Sequence, residues 1–119
     1  MFVRRETLEQ VGSLDDKYFM HCEDLDWCMR FRAAGWKILF APEVEITHIQ
    51  GTCSRERPFR VLWYKHKGMV RFYRKFFRSQ YPAPFMWLVI ASVWVRFTAI
   101  MIAIIFRRSL AKIEDNDIV

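Results

Sequence analysis

The 119 residues include only three cysteines, four glycines and four prolines. The cysteines, Cys22, Cys28 and Cys53, are odd in number and form no Cys-x-x-Cys pair. That excludes a disulfide framework and a zinc ribbon, and it fits a reducing compartment. Cys22 and Cys28 are six apart and would point about 120° from each other on one helix, so a zinc site completed by Cys53 with His21 or His48 is set aside. The glycines are scattered, and no glycine-rich nucleotide loop occurs anywhere. No cleavable signal peptide is expected, because Met1 leads directly into the charged MFVRRETLEQ.

What is present is unevenly placed. Lys and Arg total 19 against 13 Asp and Glu, a net charge of +6. Nine of the basic residues lie between positions 55 and 78, opposed there only by Glu56. Such a block suits dense phosphate, either nucleic acid or an anionic membrane surface. Residues 85–106, FMWLVIASVWVRFTAIMIAIIF, follow it, and roughly 20 apolar residues suffice to cross a bilayer as a helix. Arg96 interrupts this run at a cost of about 2.5–3.5 kcal/mol, while each Leu, Ile, Phe or Val returns roughly 0.3–0.6 kcal/mol. The sum modestly favours the membrane, with an interfacial or re-entrant helix as the alternative. Ser92, Arg96, Ala99 and Ala103 form a small or polar stripe suited to facing protein. Basic residues flank both ends, so charge sets no orientation. A basic aromatic helix directly before an apolar one points to anionic lipid as partner, and not to nucleic acid.

MFV reads as the end of a strand, and RRETLEQVG as a short helix closed by Gly12. A chain that opens on an unpartnered strand is expected to be the back end of a larger domain. A second helix is predicted over residues 23–34 with Gly35 as its stop; acids fill its first turn and Arg30 and Arg32 lie near its end, as the helix dipole favours. Asp24, Trp27, Cys28 and Phe31 share one face, and Glu23, Asp26 and Arg30 the adjoining one. Asp24 is therefore the acid expected to turn toward the apolar side. Desolvation there would raise its pKa while the helix N-terminus lowers it, a balance a general base requires. The plainer reading of these acids is capping and dipole alone. Two strands are predicted at 37–40 and 44–48, joined around Pro42. His48 closes the second, just before the Gly51 loop, where it is either a surface histidine or a ligand for a divalent cation. A helical pattern returns over 59–77, and YPAP breaks it.

Read in order, VRRETLEQVGSLDDKYF, HCEDLDWCMRFRAAGW, KILFAPEVEITHIQG, the basic aromatic helix and the apolar helix resemble the C-terminal part of bacterial family 2 glycosyltransferases, the rhamnosyltransferase-like branch above all. The resemblance covers the chain up to about Phe77. It implies an α/β fold, the C-terminal portion of a GT-A-type nucleotide-sugar transferase domain. Residues 1–58 would be the acceptor side of a partial catalytic domain, 59–80 a basic amphipathic helix, 85–106 a membrane helix and 107–119 a polar tail. The implied reaction is inverting transfer from a nucleotide-sugar donor to a hydroxyl of a glycan or lipid-linked acceptor, in cell-wall or surface polysaccharide synthesis at the cytoplasmic face of the inner membrane. By the same resemblance Asp24 is the general base, Glu23, Asp26 and Trp27 line the acceptor pocket, and His48 helps hold Mg²⁺ or Mn²⁺ on the donor diphosphate. The family's nucleotide-binding strands and metal-binding Asp-x-Asp have no counterpart here, since Asp24-Leu25-Asp26 occupies the base position. The chain therefore reads as a fragment that should not turn over alone. The alternative is a small non-catalytic membrane protein whose basic helix docks on anionic lipid or on a partner.

Overall fold

The computed structural model describes residues 1–47 and 57–116, with side chains through residue 110. Among the described residues four helices follow one another: α1 (Arg5–Val11), α2 (Glu23–Ala33), α3 (Pro58–Phe77) and α4 (Ala83–Asn116). They divide between two compact units, Met1–Phe72 and Tyr73–Val119.

In the first unit the glycines close the two short helices as the sequence predicts. Gly12 takes φ 81° and its N–H donates to the Leu8 carbonyl. Gly35 takes φ 84°, with Gly35 N–H bonded to Arg32 and Trp36 N–H to Phe31. That pair of bonds is a Schellman closure, which satisfies carbonyls a helix end would leave open. The α2 helix buries Phe31, worth about 1.5–3 kcal/mol of apolar transfer, and Phe31 stacks on Trp27 with centroids 4.9 Å apart. Tyr18, Cys22 and Val70 join it among the buried residues, with Thr7, Asp26 and His66 as buried polar members.

No strand forms among the described residues, so the α/β character implied by the resemblance is not seen. MFV is irregular, as are 37–40 and 44–47, and the end of the second predicted strand, at His48, lies outside the described residues. The turn at Pro42 is present, with Val44 N–H donating to the Ala41 carbonyl. The physical reason is that alternation and β-branching favour a strand only where another strand completes its ladder. Leu39 and Phe40 instead stand 86% and 90% exposed.

Within Met1–Phe72, the basic helix is not a separate piece. Its first fifteen residues pack on the 15–22 segment: Arg71 donates to Asp15 at 2.8 Å and lies over the Tyr18 ring, and Tyr64 stacks on Phe19 at 4.2 Å. His66, 1% exposed, places Nδ1 2.8 Å from the Leu62 carbonyl, a bond that requires the proton on Nδ1. Pro58 opens α3 at the position where a missing N–H costs nothing.

In the second unit, Tyr73, Phe77, Tyr81 and Phe85 form a run of ring contacts with centroids 5.3–6.2 Å apart, continuing across the YPAP break. The helix after it extends further than the apolar run alone predicts, through the polar residues to Asn116. Ala83–Leu110 is long and apolar enough to cross a bilayer. Its hydroxyls are satisfied within the helix, Ser92 donating to Val89, Thr98 to Val95 and Ser109 to Ile105, which is what an apolar solvent demands of them.

Candidate functional site

The acidic start of α2 is fixed from two sides. On one side its basic and aromatic residues grip the C-terminal end of α1. Arg30 donates through Nη1 to the Val11 carbonyl at 2.8 Å and through Nη2 to Ser13 at 2.6 Å. Trp27 Nε1 donates to the Gly12 carbonyl at 2.9 Å, and Trp36 Nε1 to Gln10 Oε1 at 2.8 Å. Carbonyls that α1 cannot satisfy internally are thus taken by α2 side chains.

Asp26 sits at the centre of this grip. It is fully buried, accepting from Arg30 Nε at 2.8 Å and from the Tyr18 hydroxyl at 3.2 Å. Burial, and then the adjacent Asp26 carboxylate, push the Tyr18 phenol well above its ordinary pKa. The structure therefore gives the buried place to Asp26 and leaves Asp24 exposed, the reverse of the orientation the face count predicts. The cause lies in the pairing. A buried acid needs a cation, and Arg30, one helical turn on, stands beside Asp26 and not beside Asp24.

On the other side, the chain enters α2 through two consecutive left-handed residues, His21 at φ 64° and Cys22 at φ 70°. For residues with a Cβ this conformation is strained and persists only where the surroundings enforce it. Gly68 of α3 lies directly against the turn: a Cβ on it would come within 2.9 Å of the His21 carbonyl oxygen and 3.4 Å of that of Met20. A glycine inside a helix costs about 1 kcal/mol relative to alanine, and here that cost admits the turn that aims the α2 acids.

The predicted site residues therefore occupy three settings. Asp24 is open to solvent, with Oδ1 accepting from the Leu25 N–H at 2.8 Å. Glu23 is half-buried, and its Oε2 is enclosed with no hydrogen-bond partner among the described residues. Trp27 is half-buried against Phe31 and tied to Gly12, while Asp26 is enclosed. His48 lies outside the described residues. The Cys22 thiol is pushed up by burial and then by the carboxylates of Asp24 and Glu23. Tyr18, Gly68 and the Asp15–Arg71 pair went unread in the sequence. A lone glycine within a helical pattern was the available signal for Gly68.

The described residues bring no three His, Cys, Asp or Glu side chains together in a way that could hold a metal ion. Of the α2 acids, Asp26 is already committed to a cation. The described donors thus do not by themselves fit the divalent ion that the resemblance implies.

Comparison with known proteins bears on the whole constellation. The family model described as glycosyltransferase-like family 2 matches residues 1–74, which contain α1, α2 with its left-handed entry, and α3 as far as Arg74. An N-acetylglucosaminyl-diphospho-decaprenol L-rhamnosyltransferase of Mycobacterium tuberculosis is 31% identical over 109 residues, covering 92% of this chain and 35% of that protein. The rhamnosyltransferase WbbL of Escherichia coli is 30% identical over 88 residues, covering 74% of this chain and 28% of its own length. The chain thus spans about a third of the curated relatives it matches. No solved structure gives a significant match. With the α1 grip, the acidic helix and its left-handed entry all inside the matched span, the chain belongs to glycosyltransferase-like family 2 and resembles its rhamnosyltransferases.

Proposed function

We propose that this chain supplies the acceptor side of an inverting glycosyltransferase that moves a sugar from a nucleotide-sugar donor to a hydroxyl of a glycan or lipid-linked acceptor in polysaccharide synthesis. The observation that carries the reading is the division of labour on α2. Asp26 is enclosed and holds the helix, and Asp24, two residues earlier, stays open to solvent. In the proposed step Asp24 takes the proton of the acceptor hydroxyl as its oxygen attacks the anomeric carbon. The bond from that carbon to the diphosphate breaks on the opposite face, and the leaving diphosphate keeps the bonding electrons. A positioned base of this kind contributes roughly 10²–10⁴-fold. Glu23, half-buried, offers its carboxylate edge to a further acceptor hydroxyl, and Trp27 presents an indole already locked in place. Asp26 acts as a positioning residue through Arg30 and Tyr18. His48 enters as the residue through which a divalent cation would be held, with donors from outside the described residues.

The GT-A fold belongs to the same proposal, as does a location at the cytoplasmic face of the inner membrane with Ala83–Leu110 as anchor and anionic lipid against the basic helix. Alone, the chain is expected to be inactive. The test is made in a full-length enzyme carrying this segment. Asp24→Asn should lower transfer at least a hundredfold while nucleotide-sugar binding persists, and an equal loss of donor binding would overturn the base assignment. The apolar helix following a basic one also supports the non-catalytic alternative, a membrane-docking protein. Transfer by the enzyme carrying this segment, lost with Asp24→Asn, decides against it.

A further inference from the structure

A cleft of about 190 Å³ lies just ahead of the acidic helix, between Phe19 and Met20 on one side and Arg57, Arg60, Val61 and Tyr64 on the other. Among the described residues, two arginines and no carboxylate line it. Neither Arg57 nor Arg60 forms an ion pair among the described residues, whereas Arg5, Arg30 and Arg71 each pair with an acid. The Arg60 guanidinium lies 5.6 Å from the Phe19 ring centre and 5.8 Å from that of Tyr64, and those rings stack on each other at 4.2 Å. A guanidinium held on aromatic faces keeps its N–H edge available for bidentate bonds to phosphate. Phe19 remains 61% exposed although it is held in this stack, so an apolar surface is presented beside two cations that have no acidic partner among the described residues. The volume is below the roughly 300–1,000 Å³ usual for a whole small-molecule site. It has room for a diphosphate group and its adjoining carbons, and not for a whole nucleotide sugar.

We propose that this cleft binds the diphosphate of a lipid-linked acceptor, Arg57 and Arg60 taking its charge and Phe19, Met20, Val61 and Tyr64 the first carbons of its apolar chain. The proposal rests on the acceptor-side reading above and gives that acceptor its handle. Phe19 and Met20 precede Asp24 by only five and four residues, through the left-handed turn that Gly68 admits. A diphosphate held here is tied to the start of the helix that carries the proposed base.

The test is a titration of the 119-residue chain in detergent micelles with farnesyl diphosphate, followed calorimetrically. Saturable binding is expected, weakened at least tenfold by the double substitution Arg57→Gln with Arg60→Gln. Removing the same charge outside the cleft, with Lys67→Gln and Arg74→Gln, should change affinity less than twofold. Should the arginine double variant lose helix by circular dichroism, Arg60→Lys replaces it; that variant keeps the charge, loses the fork, and should bind several-fold more weakly. Equal weakening by the control pair would overturn the proposal, as would inorganic diphosphate binding as tightly as farnesyl diphosphate. So would phosphatidylglycerol competing at equal concentration, which would make the cleft a general lipid contact, or an absence of saturable binding. This readout does not depend on transfer. Asp24→Asn should leave farnesyl diphosphate affinity intact, so failure of the base assignment and failure of the cleft are separately visible.

Discussion

Replacing Asp26 by asparagine tests whether the enclosed acid holds α2 in place. The carboxylate is fully buried, 2.8 Å from Arg30 Nε and 3.2 Å from the Tyr18 hydroxyl. At an effective dielectric of about 20, the attraction across the ion pair is roughly 5–6 kcal/mol before the desolvation cost, itself several kcal/mol, is subtracted. Asparagine removes the attraction while Arg30 stays where the Val11 and Ser13 carbonyls hold it. Breaking a buried pair in this way costs about 3–5 kcal/mol. Because the Arg30 side chain is 23% exposed and can be partly rehydrated, the cost falls just below that range, about 2–3 kcal/mol. With about 4–8 °C per kcal/mol for a unit of this size, the first unit should melt about 10–20 °C lower. Asp24→Asn, on the same helix but exposed, should stay within about 0.5 kcal/mol. Near-ultraviolet circular dichroism of the chain in micelles, recorded on heating, measures both. An Asp26→Asn variant that melts within a few degrees of the parent, or an Asp24→Asn variant that loses as much, would show that the enclosed acid does not hold α2 in place.

Further outcomes follow from the same contacts. The folded Tyr18 pKa lies above its unfolded value, so its contribution to stability is complete below pH 10. Above that pH the unfolded chain ionises first, and stability falls by up to about 1.4 kcal/mol per pH unit until the folded phenol titrates. Tyrosinate absorbance should show one late-titrating tyrosine that Tyr18→Phe removes; a titration unchanged by that substitution would count against the Tyr18–Asp26 bond. Cys22 is buried, with its thiol held protonated by burial and then by Asp24 and Glu23. Iodoacetamide near neutral pH should therefore label the more accessible Cys28 before Cys22, and Asp24→Asn should quicken Cys22; labelling of Cys22 before Cys28 in the parent would contradict its placement. Gly68→Ala gains about 1 kcal/mol of helix propensity but drives a methyl against backbone oxygens, a strain of about 1–3 kcal/mol. A net loss of stability is expected, and a rise in melting temperature would show that the turn gives way freely.

Local signals carried much of the helical layout into the sequence. Gly12 and Gly35 mark ends because a left-handed residue is needed there, and a glycine supplies it at no steric cost. The apolar run and the YPAP break mark α4 by length and composition. The missing strands show what composition alone leaves out: Ile38, Leu39 and Val44 have strand chemistry, but pairing is a property of two segments. The acidic helix shows the same limit within the site. Helical periodicity grouped Asp24 with Trp27 and Phe31 correctly as neighbours on a wheel, but which acid is buried was decided by Tyr18, eight residues upstream of Asp26, and by the α1 carbonyls that fix Arg30. The Asp15–Arg71 bond spans 56 positions, and no local pattern announces it.

The contact at Gly68 also limits how this site can vary. Position 68 accepts only the smallest residue while the His21 carbonyl stays where it is, so the gap between α3 and the entrance of α2 is set by a backbone-to-backbone contact with no side chain to trim. Moving the two helices apart to suit a different size of the proposed acceptor would cost the left-handed turn itself. Room for a larger or smaller ligand has to come from residues one to three turns earlier on α3, such as Val61 and Tyr64, or from Met20 across the cleft. Specificity could then drift at those side chains while the geometry of the acids is inherited unchanged.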